Sequence, residues 1–220
     1  MPKASIPKKP ITETSVQKSL GLYPWQQTDW QQLLQYQNTQ KIPHALLLMG
    51  SEGLAKFELA MFWAKALLCE TLVNQESLSS ESLACGHCAE CELFAANTHP
   101  DFMLIQPEEE GQAIKVAQIR QLVEFVSLTK SRGNRRVIII SPAESMNINA
   151  ANSLLKTLEE PPENTIMLLV SSKPYSLPAT IRSRCQHFPV SAADTATMQL
   201  WLAEKGQYSQ QEVDLALSLT

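Results

Sequence analysis

The 220-residue sequence lacks any apolar run approaching the ~18 residues that a membrane span needs. It also lacks a secretory signal, because the N-terminal lysines Lys3, Lys8 and Lys9 lie among prolines and no apolar stretch follows them. These absences predict a cytoplasmic protein with no membrane partner. We interpret residues 1–21 as a disordered leader.

Positive charge is scarce as well: the net charge is -4 and the sequence pI is about 5.6. A protein that binds nucleic acid over much of its surface is usually basic. Any contact with DNA is therefore expected to be local or shared with partners. A basic run contains Lys130, Arg132, Arg135 and Arg136. It either faces DNA phosphate or forms a charged turn that leads into a strand.

The five cysteines are an odd number, and three of them fall within seven residues. Without an export signal, this pattern favours metal binding over disulfides. Cys85, Cys88 and Cys91 are each separated by two residues, a spacing that lets three thiolates converge on one Zn²⁺ at ~2.3 Å. Cys69 is the best candidate for the fourth ligand, and His87 is the alternative. With four protein ligands the zinc would be structural.

Four apolar runs are nearly continuous, as expected for strands of a parallel sheet that is covered on both faces. They are residues 45–49, 102–105, 137–140 and 166–170. A weaker fifth candidate, residues 186–190, contains Pro189, which suggests an edge strand. Apolar residues at helical spacing mark residues 54–68, 114–126 and 149–160 between these strands.

This alternation predicts a three-layer α/β fold with a five-stranded parallel sheet. After residue 192 the pattern is helical only, in residues 197–202 and 211–219. We interpret residues 22–192 as one core domain, in which residues 69–91 form a zinc module. Residues 193–220 are then the start of a small helical domain, which we expect to be truncated.

The first strand leads into residues 50–57, GSEGLAKF, where a phosphate-binding loop would precede a helix. Gly50, Gly53 and Lys56 match such a loop. Ala55, however, replaces a glycine that lets the backbone approach phosphates, and Phe57 replaces the Ser or Thr that binds magnesium. Taken alone, the segment is equally compatible with an ordinary strand-to-helix turn.

The end of the third strand argues against ATP hydrolysis. Working P-loop ATPases place acidic residues there to hold magnesium and polarise water. Here the strand is followed by Ser141 and Pro142, and Glu144 lies several residues further on. We therefore expect no functional ATP site.

Two further segments carry a family resemblance: residues 152–162, NSLLKTLEEPP, and residues 177–185, LPATIRSRC. Together with the cysteine module they resemble the bacterial clamp-loader subunits of DNA polymerase III, which have the AAA+ P-loop-type fold with a zinc-binding insertion and a helical lid domain. The resemblance covers roughly residues 22–190. The departures at the phosphate loop are similar to those of the delta-prime branch.

This resemblance implies a non-hydrolysing stator with gamma/tau and delta subunits as partners. Through the assembled complex it would reach the sliding clamp and primer-template DNA. Arg184, flanked by Ser183 and Cys185, would be an arginine finger for a neighbouring subunit's ATP site. Outside that context, Arg184 would be read as a solvated surface residue. The alternatives are a divergent gamma/tau-like subunit that still hydrolyses ATP and, less supported by the charge, a stand-alone zinc-containing nucleic-acid binder.

Overall fold

A five-stranded, fully parallel sheet forms the centre of the computed structural model, which describes residues 22–75, 77–79, 81–127, 135–192 and 194–205. The strands lie in the order β2-β3-β4-β1-β5. They are β1 (Ala45–Met49), β2 (Phe102–Ile105), β3 (Arg136–Ile140), β4 (Thr165–Ser171) and β5 (Gln186–Pro189). All five predicted strands are confirmed, and Pro189 lies in an edge strand as expected. The predicted leader and the predicted helix at 211–219 lie outside the described residues.

The continuous apolar runs are explained by helices on both faces of the sheet. Along β1, Leu46 and Leu48 point into one core cluster, whereas Leu47 points into the other. Because successive side chains of a strand alternate between faces, both faces need apolar residues. The sheet is therefore the middle layer of a three-layer fold.

The helices of the described chain are divided between the two faces. They are α1 (Gln27–Asn38), α2 (Lys56–Leu68), α3 (Glu70–Val73), α4 (Ala89–Ala95), α5 (Val116–Ser127), α6 (Ile148–Glu159), α7 (Ala179–Arg182) and α8 (Thr195–Lys205). Buried residues of α1, α2 and α4 share one core cluster, and those of α5, α6 and α7 share the other. None of these helices has the length and apolarity that a bilayer crossing requires.

Helix α6 has clear boundaries. Asn147 caps its first turn, because its side-chain oxygen accepts a 2.8 Å hydrogen bond from the backbone N–H of Ala150. The helix ends at Glu159, just before Pro161 and Pro162, which cannot donate to a helix ladder. These bounds lie within one residue of the predicted 149–160. They place Glu159 at the carboxyl end of α6.

Arg136 corrects the reading of the basic run as a surface for DNA or a charged turn. It is the first residue of β3, is 2% exposed, and pairs with buried Asp101 at 3.3 Å. It also donates to the carbonyl of Val126 at 3.1 Å and lies over the ring of Phe125. Arg136 is thus an internal tie between α5 and the sheet. Lys130 and Arg132 lie outside the described residues, and Arg135 is half-buried.

The end of the core is tied to its beginning. The carboxylate of Asp29 in α1 accepts hydrogen bonds from the N–H and the hydroxyl of Ser191, at 3.0 and 2.8 Å. Asp29 is 1% exposed, so these bonds compensate the cost of burying its charge. The bonds hold the segment after β5 against α1, close to the predicted boundary at residue 192.

Candidate functional sites

The four cysteines of the predicted zinc module converge. The sulfur atoms of Cys69, Cys85, Cys88 and Cys91 all lie within 4.8 Å of one another. Those of Cys85 and Cys91 are 4.0 Å apart. Four thiolates at ~2.3 Å from a tetrahedral Zn²⁺ would be separated by about 3.8 Å. The donor set and its spacing fit a structural metal, and this group could hold a metal ion.

The backbone of the module supports the sulfur atoms. The N–H of Cys85 donates to the sulfur of Cys69 at 3.4 Å, and the N–H of Cys88 donates to the sulfur of Cys85 at 3.3 Å. A hydrogen bond with Thr71 is the main cause that lowers the pKa of Cys85 to about 5. These bonds favour the thiolate of Cys85, which is the metal-binding form, whereas burial raises the pKa of the Cys91 thiol.

Cys69 joins the cluster because the insert between α3 and the module folds back. Cys69 is fully buried between α2 and α3. Asn38, at the end of α1, pairs with the backbone of Leu78 in the insert through bonds of 2.9 and 2.7 Å. The alternative fourth ligand, His87, is exposed, and its Nδ1 lies 2.8 Å from the carbonyl oxygen of Cys85. The geometry therefore favours Cys69.

The phosphate-loop segment follows the carboxyl end of β1, the strand that lies between β4 and β5 in the sheet. Two residues of the loop have a positive φ: Gly53, with 89°, and Ala55, with 54°, which lies immediately before α2. A Cβ atom on Gly50 would come within 2.9 Å of the Leu54 side chain, so the loop is packed tightly upon itself. The helix predicted from residue 54 begins at Lys56 because Leu54 and Ala55 belong to this loop.

Lys56 is turned inward. It is only 5% exposed, and its Nζ donates to the carbonyl of Ser51 at 2.5 Å. Burial lowers the pKa of Lys56, while nearby Glu144 acts in the opposite direction. Lys56, the lysine that would bind a phosphate in a working loop, thus bonds to a carbonyl of its own loop.

Gln26 closes the same loop from outside and was missed by the sequence analysis. Its side-chain amide donates to the carbonyls of Leu54 at 3.2 Å and Ala55 at 2.9 Å. Gln26 is 1% exposed, so these bonds are largely shielded from water. They bind the loop to the segment that precedes α1.

In the described chain, the residues that follow β3 and line the cleft beside Lys56 carry no carboxylate. Ser141 and Pro142 line this cleft of about 460 Å³. Glu144 uses its Oε1 to accept from the backbone N–H groups of Ser172 and Lys173, at 3.0 and 3.2 Å. It therefore caps the turn after β4. Glu58 does line the cleft, but it belongs to the first turn of α2.

Three aromatic rings form one wall of the cleft, and no local sequence pattern predicts their meeting. Tyr23 stacks on Trp25 with ring centroids 4.8 Å apart, and Trp201 of α8 meets both rings edge-on at 5.4 and 5.5 Å. Edge-to-face contacts of this kind are favourable beyond the area they bury. They hold the first helix after the core against the segment before α1.

The residues of the predicted finger occupy the turn between α7 and β5. Cys185 is 8% exposed and packs in the core, and burial raises its pKa to about 12, so it is a packing residue rather than a nucleophile. The hydroxyl of Ser183 donates to the carbonyl of Thr180 at 3.2 Å. The Arg184 side chain is 33% exposed and pairs with Glu159 of α6. Arg184 is thus held at the surface and is not freely solvated.

A second cation lies beside this turn. The guanidinium of Arg182 stands over the ring of Tyr175, 5.1 Å from its centroid. Tyr175 is 82% exposed. Arg182 and Arg184 therefore have different partners, although only Ser183 lies between them.

Comparisons with known proteins show which proteins this chain is similar to. The family model described as "DNA polymerase III, delta subunit" matches residues 25–194. DNA polymerase III subunit delta′ of Pseudomonas aeruginosa is 44% identical over 83% of this chain and 52% of the relative. The Escherichia coli subunit delta′ is 32% identical over 90% of this chain and 57% of the relative. The chain thus spans about half the length of these curated relatives.

A further relative and a solved structure are also similar to this chain. Subunit tau of Escherichia coli is 34% identical over 70% of this chain and 22% of the relative. The crystal structure of a DNA polymerase III gamma subunit-related protein from Thermotoga maritima superimposes with a TM-score of 0.54 at 23% identity. It covers 75% of this chain and 46% of that one. This likeness supports the expected AAA+ type of fold, and the match over residues 25–194 shows that the chain belongs to the DNA polymerase III delta subunit family.

Proposed function

We propose that this chain acts as a delta-prime subunit of the bacterial DNA polymerase III clamp loader. In this role it hydrolyses no ATP itself and lends Arg184 to the ATP site of a neighbouring gamma/tau subunit. The observation that carries the proposal is the state of the cleft: Lys56 bonds to its own loop, and Ser141 and Pro142 stand where magnesium-binding carboxylates would be needed.

The proposed partners follow from the same reading. The gamma/tau and delta subunits would complete the assembly in the cytoplasm, and the assembly would load the sliding clamp onto primer-template DNA. The similarity to subunit tau supports a common ancestry for the adjoining subunits of such an assembly. Contact with clamp and DNA would be made through the complex, in keeping with the net charge of -4.

The finger role rests on electrostatics. A fixed guanidinium beside the γ-phosphate stabilises the charge of the transition state, and in related systems such a residue is worth ~10³ or more in rate. Arg184 meets two requirements for this role. Its side chain is partly exposed, and the flanking Cys185 is anchored in the core, which fixes the turn.

The test is the Arg184→Ala variant in the reconstituted clamp loader. We expect ATP turnover at the neighbouring site to fall by about 10³-fold, while the subunits still co-elute on size exclusion. Lys41→Ala, which removes an exposed cation before the amino end of β1, is the matched control and should leave turnover unchanged. Equal turnover of the Arg184→Ala and wild-type complexes would contradict the finger role.

We further propose that the four converging cysteines hold a structural zinc ion. When bound, the ion would cross-link the junction of α2 and α3, at Cys69, to Cys85 and Cys88 before α4 and to Cys91 within it. The residues would supply four thiolates and leave no open position for catalysis. The wild-type protein should contain stoichiometric zinc by elemental analysis, and Cys88→Ser should lose it. Cys185→Ser, which changes a cysteine outside the cluster, should keep the metal. Retention of stoichiometric zinc by Cys88→Ser would contradict this site.

A further inference from the structure

Glu159 contacts the proposed finger, although the resemblance assigned no role to it. We propose that Glu159 is a positioning residue, which holds the Arg184 guanidinium so that its outer N–H groups are presented to a phosphate of the neighbouring subunit. This inference rests on the proposed function of Arg184.

Arg184 is held on two sides by its own chain. Its Nε and Nη2 atoms both donate to Oε1 of Glu159, at 2.9 and 2.5 Å. Its Nη1 atom donates to the carbonyl of Thr180 at 2.9 Å, with a weaker contact of 3.5 Å to the hydroxyl of Ser183. The Glu159 carboxylate thus binds the edge of the guanidinium formed by Nε and Nη2, and the Thr180 carbonyl binds Nη1.

This arrangement leaves donors for a ligand. A guanidinium has five N–H groups in a fixed fork. Within the described part of the chain, the bonds of 2.9 Å or less use three of them: one on Nε, one on Nη2 and one on Nη1. The remaining N–H groups belong to Nη1 and Nη2, the pair that binds a phosphate in a bidentate manner. Glu159 therefore fixes the finger without using all of its donors.

Both partners are anchored in the core. Glu159 is the last residue of α6 and follows Leu158, which is 1% exposed. Arg184 follows α7, where Ile181 is fully buried, and precedes buried Cys185. Helices α6 and α7 pack against each other through the same core cluster. The two charges therefore meet because rigid elements bring them together from positions 25 residues apart.

The expected effect is modest because the pair is partly exposed. The Glu159 side chain is 48% exposed and that of Arg184 is 33% exposed, so water screens their attraction. A pair of this kind affects an equilibrium or a rate by about two- to fivefold. Loss of Glu159 would release the side-chain rotamers of Arg184, and reaching the phosphate would then require them to be ordered again.

The experiment measures kcat and KM for ATP of the reconstituted clamp loader with five variants of this subunit, one of which is Arg184→Ala itself. Glu159→Ala should lower kcat about two- to fivefold with KM unchanged, because the neighbour binds the nucleotide. Glu159→Gln, which keeps an acceptor oxygen but loses the charge, should fall between Glu159→Ala and wild type. Glu160→Ala removes the adjacent exposed charge and should match wild type. In the Arg184→Ala background, Glu159→Ala should cause no further loss.

The outcomes separate this inference from the proposed function. If Arg184→Ala leaves turnover unchanged, the finger itself is wrong, and with it this inference. If Arg184→Ala abolishes turnover but Glu159→Ala equals Glu160→Ala, only the positioning role is overturned. A faster rate in Glu159→Ala would mean that the carboxylate restrains the finger, and an undiminished loss in the Arg184→Ala background would mean that Glu159 acts elsewhere. Either result contradicts the inference.

Discussion

Lys56 and Arg184 are the two cations that the sequence pattern associates with phosphate, and their surroundings in the fold are opposite. Lys56 is 5% exposed and bonds to the carbonyl of Ser51 in its own loop. The Arg184 side chain is 33% exposed, lies in a surface turn and is braced by Glu159. The first arrangement removes a charge from the cleft, and the second presents one outward. This contrast is what we expect if, as proposed, the chain hydrolyses no ATP in its own cleft and lends a cation to the ATP site of a neighbouring subunit.

The surroundings of the two cations explain the difference. Gln26 donates to two carbonyls of the loop that contains Lys56. The turn that contains Arg184 leaves part of the guanidinium accessible. Three carbonyls of the loop are thus bonded by side chains of the same chain. We draw two predictions from this comparison, beginning with the larger effect.

The Arg184→Lys variant separates charge from geometry. Lysine keeps the positive charge but loses the planar fork that can bind Glu159 and a phosphate together. We expect ATP turnover of the reconstituted complex to fall on the order of tenfold to a hundredfold, the cost of one charged hydrogen bond. Lys56→Met in the same complex should change turnover by less than about twofold, because that cation bonds to the carbonyl of Ser51 in its own loop. A large loss of ATP turnover in Lys56→Met would contradict the difference that we infer between Lys56 and Arg184.

The Gln26→Ala variant tests what closes the cleft. It removes the buried side-chain donor of the half-buried Leu54 and Ala55 carbonyls, of which only that of Ala55 keeps another donor among the described residues, the N–H of Leu59 at 3.0 Å. We expect the free energy of unfolding to fall by about 1–3 kcal/mol, measured by denaturant titration. Gln31→Ala, at an exposed position of α1, should change it by less than about 0.5 kcal/mol. If the Gln26→Ala variant instead gains magnesium-dependent ATP binding, a single side chain is what blocks the cleft.

The strands were predictable because a parallel sheet covered on both faces requires continuous apolar runs, a pattern that is visible locally. The cysteine module was predictable for a similar reason, since the spacing of three ligands lies within seven residues. Helix α1 was not predicted. Its apolar stripe is short, with Trp30, Leu33 and Leu34 set among glutamines, so burial rather than periodicity reveals it.

The details of the sites depend on tertiary contacts. The ring of Trp201 reaches Tyr23 and Trp25 from a remote part of the chain, and no local pattern predicts that meeting. Arg136 was grouped with neighbouring charges because sequence alone does not reveal that Asp101 and Val126 provide its buried partners. The pair of Glu159 and Arg184 likewise exists only after α6 and α7 pack together.

Titration of Mg·ATP into the chain by calorimetry, with turnover measured in parallel, tests the central claim most directly. With Lys56 bound to its own loop and Ser141 and Pro142 at the end of β3, we predict no saturable, magnesium-dependent binding and no phosphate release. Micromolar magnesium-dependent binding with turnover would contradict the account and would favour a divergent ATPase that still uses Lys56.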